Sequence, residues 1–175
     1  MKNFGRIIVG LFIITAIQAC HGNRPGDNDA AKADSRSLVF IKNSMLDGLC
    51  EIKASGLAIT NSNNHRVIDL AKMIITEQTA IDSDLVKLKS TYHITRKDTI
   101  TPYHALWIDS LSKRSGPAFD KPYLLAMVGT RRLDSILFTI IAAKSKADVK
   151  KFAAERLPIV KKQLDSARAV LTSLK

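Results

Sequence analysis

Chemistry in a protein needs acids, bases, thiols or metal ligands at workable spacing, and this chain offers few. Its only glutamates are Glu51, Glu77 and Glu155, and its histidines are His21, His65, His93 and His104. A di-iron carboxylate site in a helical bundle takes a Glu from each of two helices and a Glu-x-x-His from each of two others. No Glu-x-x-His occurs here, and no His pairs at i, i+3 or i, i+4 with another His or with Glu. No HExxH, P-loop, Gly-x-Ser-x-Gly or Cys-x-x-Cys appears either. The inventory predicts no metal, no cofactor and no enzymatic activity. Only a triad assembled from distant residues would escape such a reading.

The two cysteines have different contexts. Lys2 and Arg6 precede an apolar stretch from Ile7 to Ile17, too short to span a bilayer and suited to a signal peptide. It ends at Ile17-Gln18-Ala19-Cys20, which resembles a bacterial lipobox, although Gln18 is unusual there. Residues 1–19 are therefore expected to be a lipoprotein signal peptide, with Cys20 the lipidated residue of an exported protein. The competing reading is an ordinary signal peptide in which Cys20 is incidental. With Cys20 acylated, Cys50 has no partner for a disulfide. Its setting, Leu49-Cys50-Glu51-Ile52, suits a buried small hydrophobe.

The polar stretch 20–35 reads as a flexible tether, and 36–175 as one helical domain. Apolar spacing predicts helices over about 36–61, 64–90, 102–114, 118–144 and 147–174. On the first, Ile41, Met45, Ile52 and Ile59 share a face, while Glu51 lies with Ser44, Ser55 and Ala58 on a small-residue face. Asn63 or Asn64 would cap the second. Thr101-Pro102 would open the short third helix, with Thr at the N-cap and Pro at the first helical position. The fourth is nearly all apolar after Leu133, which predicts the most buried helix. Pro158 falls within the fifth and should kink it or remove one backbone hydrogen bond. Four long helices and one short connector make an all-α four-helix bundle.

Helical geometry also places three polar residues where apolar ones are expected. Gln78 shares a face with Val67, Ala71, Ile74 and Leu85. Arg131 shares one with Leu124, Met127, Val128 and Phe138, and Gln163 one with Phe152, Ile159, Val160 and Val170. Each either snorkels to water at a helix edge or joins a buried polar cluster. In the cluster reading Glu51 and Glu77 are the natural partners of Arg131.

The segments Gly48-Leu49-Cys50-Glu51-Ile52, Ala71-Lys72-Met73-Ile74, Ser115-Gly116-Pro117-Ala118-Phe119-Asp120-Lys121-Pro122-Tyr123 and Phe152-Ala153-Ala154-Glu155-Arg156-Leu157-Pro158 together resemble the domain of unknown function 4142. These are ferritin-like, predicted outer-membrane bacterial proteins. The resemblance implies a ferritin-like bundle without an established activity. It also implies histidines at three places where this chain has Gln78, Arg131 and Gln163. A Gln amide is a poor transition-metal ligand, and a guanidinium that stays protonated is none. The expectation is that Arg131 supplies the positive charge a metal would otherwise provide, pairing with Glu51 or Glu77.

The formal net charge is +11, and from residue 121 onward 12 Lys+Arg face 4 Asp+Glu. The basicity thus belongs to the last two helices, with Lys144, Lys146, Lys150 and Lys151 near their junction and Lys161 and Lys162 beyond Pro158. An exported lipoprotein does not normally meet nucleic acid, so an anionic envelope component is the candidate partner, against a plain solvated face. The sequence thus points to a non-enzymatic, lipid-anchored envelope protein facing the periplasm, in the outer membrane. The alternative is a metal- or small-ligand-binding bundle with a degenerate site.

Overall fold

A computed structural model describes the backbone of residues 25–95 and 99–174, and the side chains from residue 35 onward. The signal segment and Cys20 lie outside the described residues. The chain forms α1 (Pro25–Asn61), α2 (His65–Thr91), α3 (Pro102–Ser112), α4 (Pro117–Lys144) and α5 (Ala147–Thr172), with no strand among the described residues.

Local chemistry sets most of these ends. The Asn64 side chain accepts from the Arg66 N–H, so Asn64, rather than Asn63, caps α2. The Thr101 hydroxyl accepts from the His104 N–H with Pro102 at the first position of α3, as the sequence predicts. Gly116 precedes α4 at φ 54°, a conformation open to glycine and strained for other residues. It also donates its N–H to Asn61 O at 2.8 Å, which pins the start of α4 to the end of α1.

That bond fixes the topology. Both α2 and α4 start at this end of the bundle, so the segment between them returns along its full length and carries α3 with it. In cross-section the order around the bundle is α1, α2, α5, α4, each helix packed on two antiparallel neighbours. Two hairpins, α1–α2 and α4–α5, joined by one long crossover make the ferritin-like form of the bundle.

Two hydrophobic clusters fill the interior. One gathers Ala54, Ala58, Leu70, Ile74, Phe119, Tyr123 and Met127, and the other is built on Phe40, Ile81, Leu85, Phe138 and Phe152. Phe40 meets the Phe138 ring edge-on at 5.0 Å, and Phe119 stacks on Tyr123 at 5.5 Å. Tyr123 also shares a buried 2.9 Å hydrogen bond with the Ser55 hydroxyl.

Three expectations need correction. The helix that the sequence starts near 36 begins at Pro25, so 25–35 is helical rather than a flexible tether. Pro25 sits at the first position, where its missing N–H costs nothing, and the Ala-rich stretch after it favours helix. On α1 the small-residue face turns inward. Ser44, Gly48, Ala54, Ser55 and Ala58 are buried with Glu51; of the expected face Ile41 and Met45 are buried too, but Ile52 is only half-buried and Ile59 is exposed. Small side chains let α2 and α4 approach α1 closely, which leaves little room for branched ones. Finally, α4 is not the most buried helix, because Leu133, Ile136 and Ile140 of its apolar run face outward.

Candidate functional site

The site forms where α1, α2 and α4 meet. Gln78, Arg131 and Gln163, read from periodicity as inward polar positions, are buried at 3%, 2% and 0% exposure, and their expected partner Glu51 at 2%. The snorkelling alternative for Arg131 is therefore excluded. Its guanidinium donates to Glu51 Oε2 in a short contact, to Gln78 Oε1 at 3.1 Å and to Asp134 Oδ2 at 3.1 Å. Gln78 then donates through Nε2 to Asp82 Oδ1 at 2.9 Å. One amide thus relays between a cation and a carboxylate, accepting from one and donating to the other.

Of the two partners expected for Arg131, Glu51 takes the role and Glu77 does not. Glu77 joins α2 to α5, accepting from Lys162 Nζ at 2.7 Å and from Gln163 Nε2 at 3.0 Å. The five residues therefore form two neighbouring clusters. Arg156 of α5 adds a third link, pairing with Asp84 of α2.

Gly48 makes the first cluster possible. A Cβ there would run into Gln78 Nε2 and Asp82 Oδ1, closer than real Cβ atoms come to such groups. The Gln78 amide and the Asp82 carboxylate occupy that space.

Sequence reasoning missed two acids. Asp47 lies one turn before Glu51 and Asp134 three residues after Arg131, a spacing that would have revealed both. One guanidinium thus faces three carboxyls, and full ionisation would leave the pocket net negative. Burial pushes Glu51 up to about 8 against the pull of Arg131, with Asp134 and Asp47 adding to the rise. Burial likewise raises Asp134 to about 6, opposed by Arg131. Asp47 rises too, by desolvation, with His104 and Arg131 opposing. Burial thus favours the protonated form of all three carboxyls, against the pull of Arg131.

Little space is left inside. Between Ser44, Asp47, Glu51, Arg131 and Phe138 lies a cavity of about 10 Å³, roughly what one water needs. Glu51 Oε1 and Arg131 Nε take no protein hydrogen bond among the described residues. A single water is the largest guest this site admits without repacking.

As for ligands, no group of three or more His, Cys, Asp or Glu able to hold a metal occurs among the described residues. His65 and His104 lie apart at the starts of α2 and α3, and His93 follows α2. Cys50 is buried, and desolvation raises its thiol to about 11, which suits an inert core residue.

The expected anion-binding lysines are all exposed but do not form one patch. Lys150 and Lys161 lie eleven residues apart on α5, about 16 Å at the helical rise. Lys162 is held by Glu77, Lys151 lies 3.9 Å from Glu155, and Lys146 sits 5.7 Å over the Tyr92 ring.

With this geometry in view, comparisons place the chain among known proteins. A crystal structure of a DUF305 fragment from Deinococcus radiodurans superposes with a TM-score of 0.70 at 14% identity, covering 79% of this chain and 97% of that one. At that identity the likeness concerns the fold. No curated protein sequence matches the chain. The profile described as Domain of unknown function (DUF4142) matches residues 23–170, which take in both hairpins and every residue of the buried network, and the chain belongs to this family.

Proposed function

We propose that this protein is a non-enzymatic, lipid-anchored component of the bacterial cell envelope that acts through its outer surface. The observation that carries this reading is the closed polar site. The interior position is filled by Arg131, Glu51 and Gln78, and only about 10 Å³ remains beside them. A substrate has no room there, so the network serves to hold the bundle together. Anchoring rests on the lipobox-like run ending at Cys20. Binding of an envelope anion rests on the exposed lysines of α4 and α5, chiefly Lys144, Lys146, Lys150 and Lys151 at the helix junction.

Two experiments test it. Labelled palmitate should enter the wild-type chain expressed in a bacterium with lipoprotein export and not the Cys20→Ser variant. Purified protein should bind lipopolysaccharide in a salt-sensitive manner that Lys144→Glu/Lys150→Glu/Lys151→Glu abolishes. Equal binding by wild type and triple variant would remove the anion-binding part.

One observation favours a second reading, a small-ligand binder. An open groove of about 1410 Å³ lies at the end of the bundle, lined by Arg66, Asp120, Lys121, Arg168 and Leu171 among others. Asp120 is buried there, and its Oδ1 takes no protein hydrogen bond among the described residues. Titration with inorganic phosphate, read by amide chemical shifts, would favour this reading only if the changes centred on the groove.

A further inference from the structure

The outward face of α4 is apolar along most of the helix. Leu125, Leu133, Ile136 and Ile140 are 53%, 68%, 52% and 44% exposed. At 100° per residue these four, with the exposed Gly129 and Ala143, fall within an arc of about 80°. From Leu125 to Ile140 the stripe is about 22 Å long at 1.5 Å per residue. A soluble surface scatters such side chains singly, and a contiguous row marks a contact.

The charges beside the row indicate what that contact is. Lys121 and Arg132 line one edge and Lys144 ends the other, all exposed. The only acids of α4 are Asp120 and Asp134, and both face inward, Asp120 buried and Asp134 bound to Arg131. The outward face therefore carries cations and no anion. A second copy docking face to face would set these cations against their own images, which disfavours self-pairing. Among the described residues no helix is long and apolar enough to cross a membrane. An apolar stripe flanked by cations fits the boundary between acyl chains and anionic headgroups, where the apolar side chains sink in and the cations meet phosphates.

We propose that the α4 face formed by Leu125, Leu133, Ile136 and Ile140 lies on an anionic phospholipid surface, oriented by Lys121, Arg132 and Lys144. This extends the envelope reading and is independent of acylation at Cys20. It assigns the bundle a fixed posture on the membrane, with α4 down and α2, diagonally opposite in the bundle, facing away.

A local probe tests it in the full chain. In a Cys20→Ser background Cys50 is buried, so Ile136→Cys presents one accessible thiol for an environment-sensitive fluorophore. Thr79→Cys, exposed on α2, is the control. Vesicles of phosphatidylcholine with phosphatidylglycerol should shift the emission at position 136 to the blue and raise it, while position 79 keeps a water-like spectrum. Lys121→Glu/Arg132→Glu should return position 136 to a water-like spectrum. Three results would overturn the proposal. Positions 136 and 79 could behave alike although the chain sediments with vesicles through its N-terminal segment. The shift could survive reversal of the flanking charges. Or position 136 could turn apolar without vesicles as protein concentration rises, identifying a second copy as the occupant. Failure of palmitate labelling at Cys20 would count against the anchor alone and leave the α4 result standing.

Discussion

Replacing Glu51 with glutamine asks whether the buried carboxyl holds a proton. Glu51 ordinarily titrates near 4.5, and in the fold it is raised to about 8. A carboxyl raised by folding binds its proton more tightly in the native state. Its contribution to stability is therefore fully present below about 4.5, is lost as pH rises toward about 8, and is flat above that. A rise from 4.5 to about 8, at about 1.36 kcal/mol per unit, sets a ceiling of about 5 kcal/mol over the window. Asp134, raised from 3.8 to about 6, gives a similar slope only at lower pH. The discriminating range is thus from about pH 6 to about pH 8, where the wild type should lose up to about 3 kcal/mol. Glu51→Gln keeps an oxygen to accept from Arg131 and has no proton to lose, so it should lack this slope. Urea unfolding followed by far-ultraviolet circular dichroism across that range measures both curves. Parallel curves would refute the reasoning, since they would mean that Glu51 titrates alike in folded and unfolded chains.

Other perturbations bear on the same architecture. Arg131→Met leaves the carboxyls buried without their cation and should cost about 3–5 kcal/mol in urea titration, and an unchanged melting temperature would sink the buried-network reading. Gly48→Ala should destabilise by about 1–3 kcal/mol by forcing the Gln78 amide and Asp82 aside, in contrast to Gly56→Ala, which meets nothing within 4 Å and should stabilise the helix slightly, both measurable by thermal melting. Cys50 should resist a thiol reagent in the native state and react at the rate of unfolding, so prompt modification at neutral pH would contradict its burial.

Much of this architecture can be read from the chain because helical periodicity is a local property. Gln78, Arg131 and Gln163 are visible as intruders in apolar stripes, and the Thr101-Pro102 and Asn64 starts follow from capping chemistry. What escapes is what depends on neighbours. The C-terminal part of α1 turns Ala54, Ser55 and Ala58 inward while Ile52 and Ile59 look outward, because close approach of helices rewards small volume over apolarity; only earlier along the helix do Ile41 and Met45 follow hydropathy. The apolar run of α4 misleads in the opposite direction, since burial counts which residues have neighbours and hydropathy does not. The pairing of Arg131 with Glu51 rather than Glu77 depends on axial register between helices far apart in sequence. Asp134, three residues from Arg131, was readable in principle.

Three ion pairs between the two hairpins share one polarity. Glu51, Glu77 and Asp84 on α1–α2 meet Arg131, Lys162 and Arg156 on α4–α5. Each hairpin can zip up from contacts local in sequence, and only their later docking requires the slow closure of the crossover. At that step the acids of one half and the bases of the other act as a keyed connector. A slip of one helical turn would part Arg131 from Glu51 and Gln78 and leave it only Asp134 of its own helix, so misregistered docking is penalised as the core packs. Part of the lopsided distribution of charge along the chain would then be an assembly code, read when the hairpins dock.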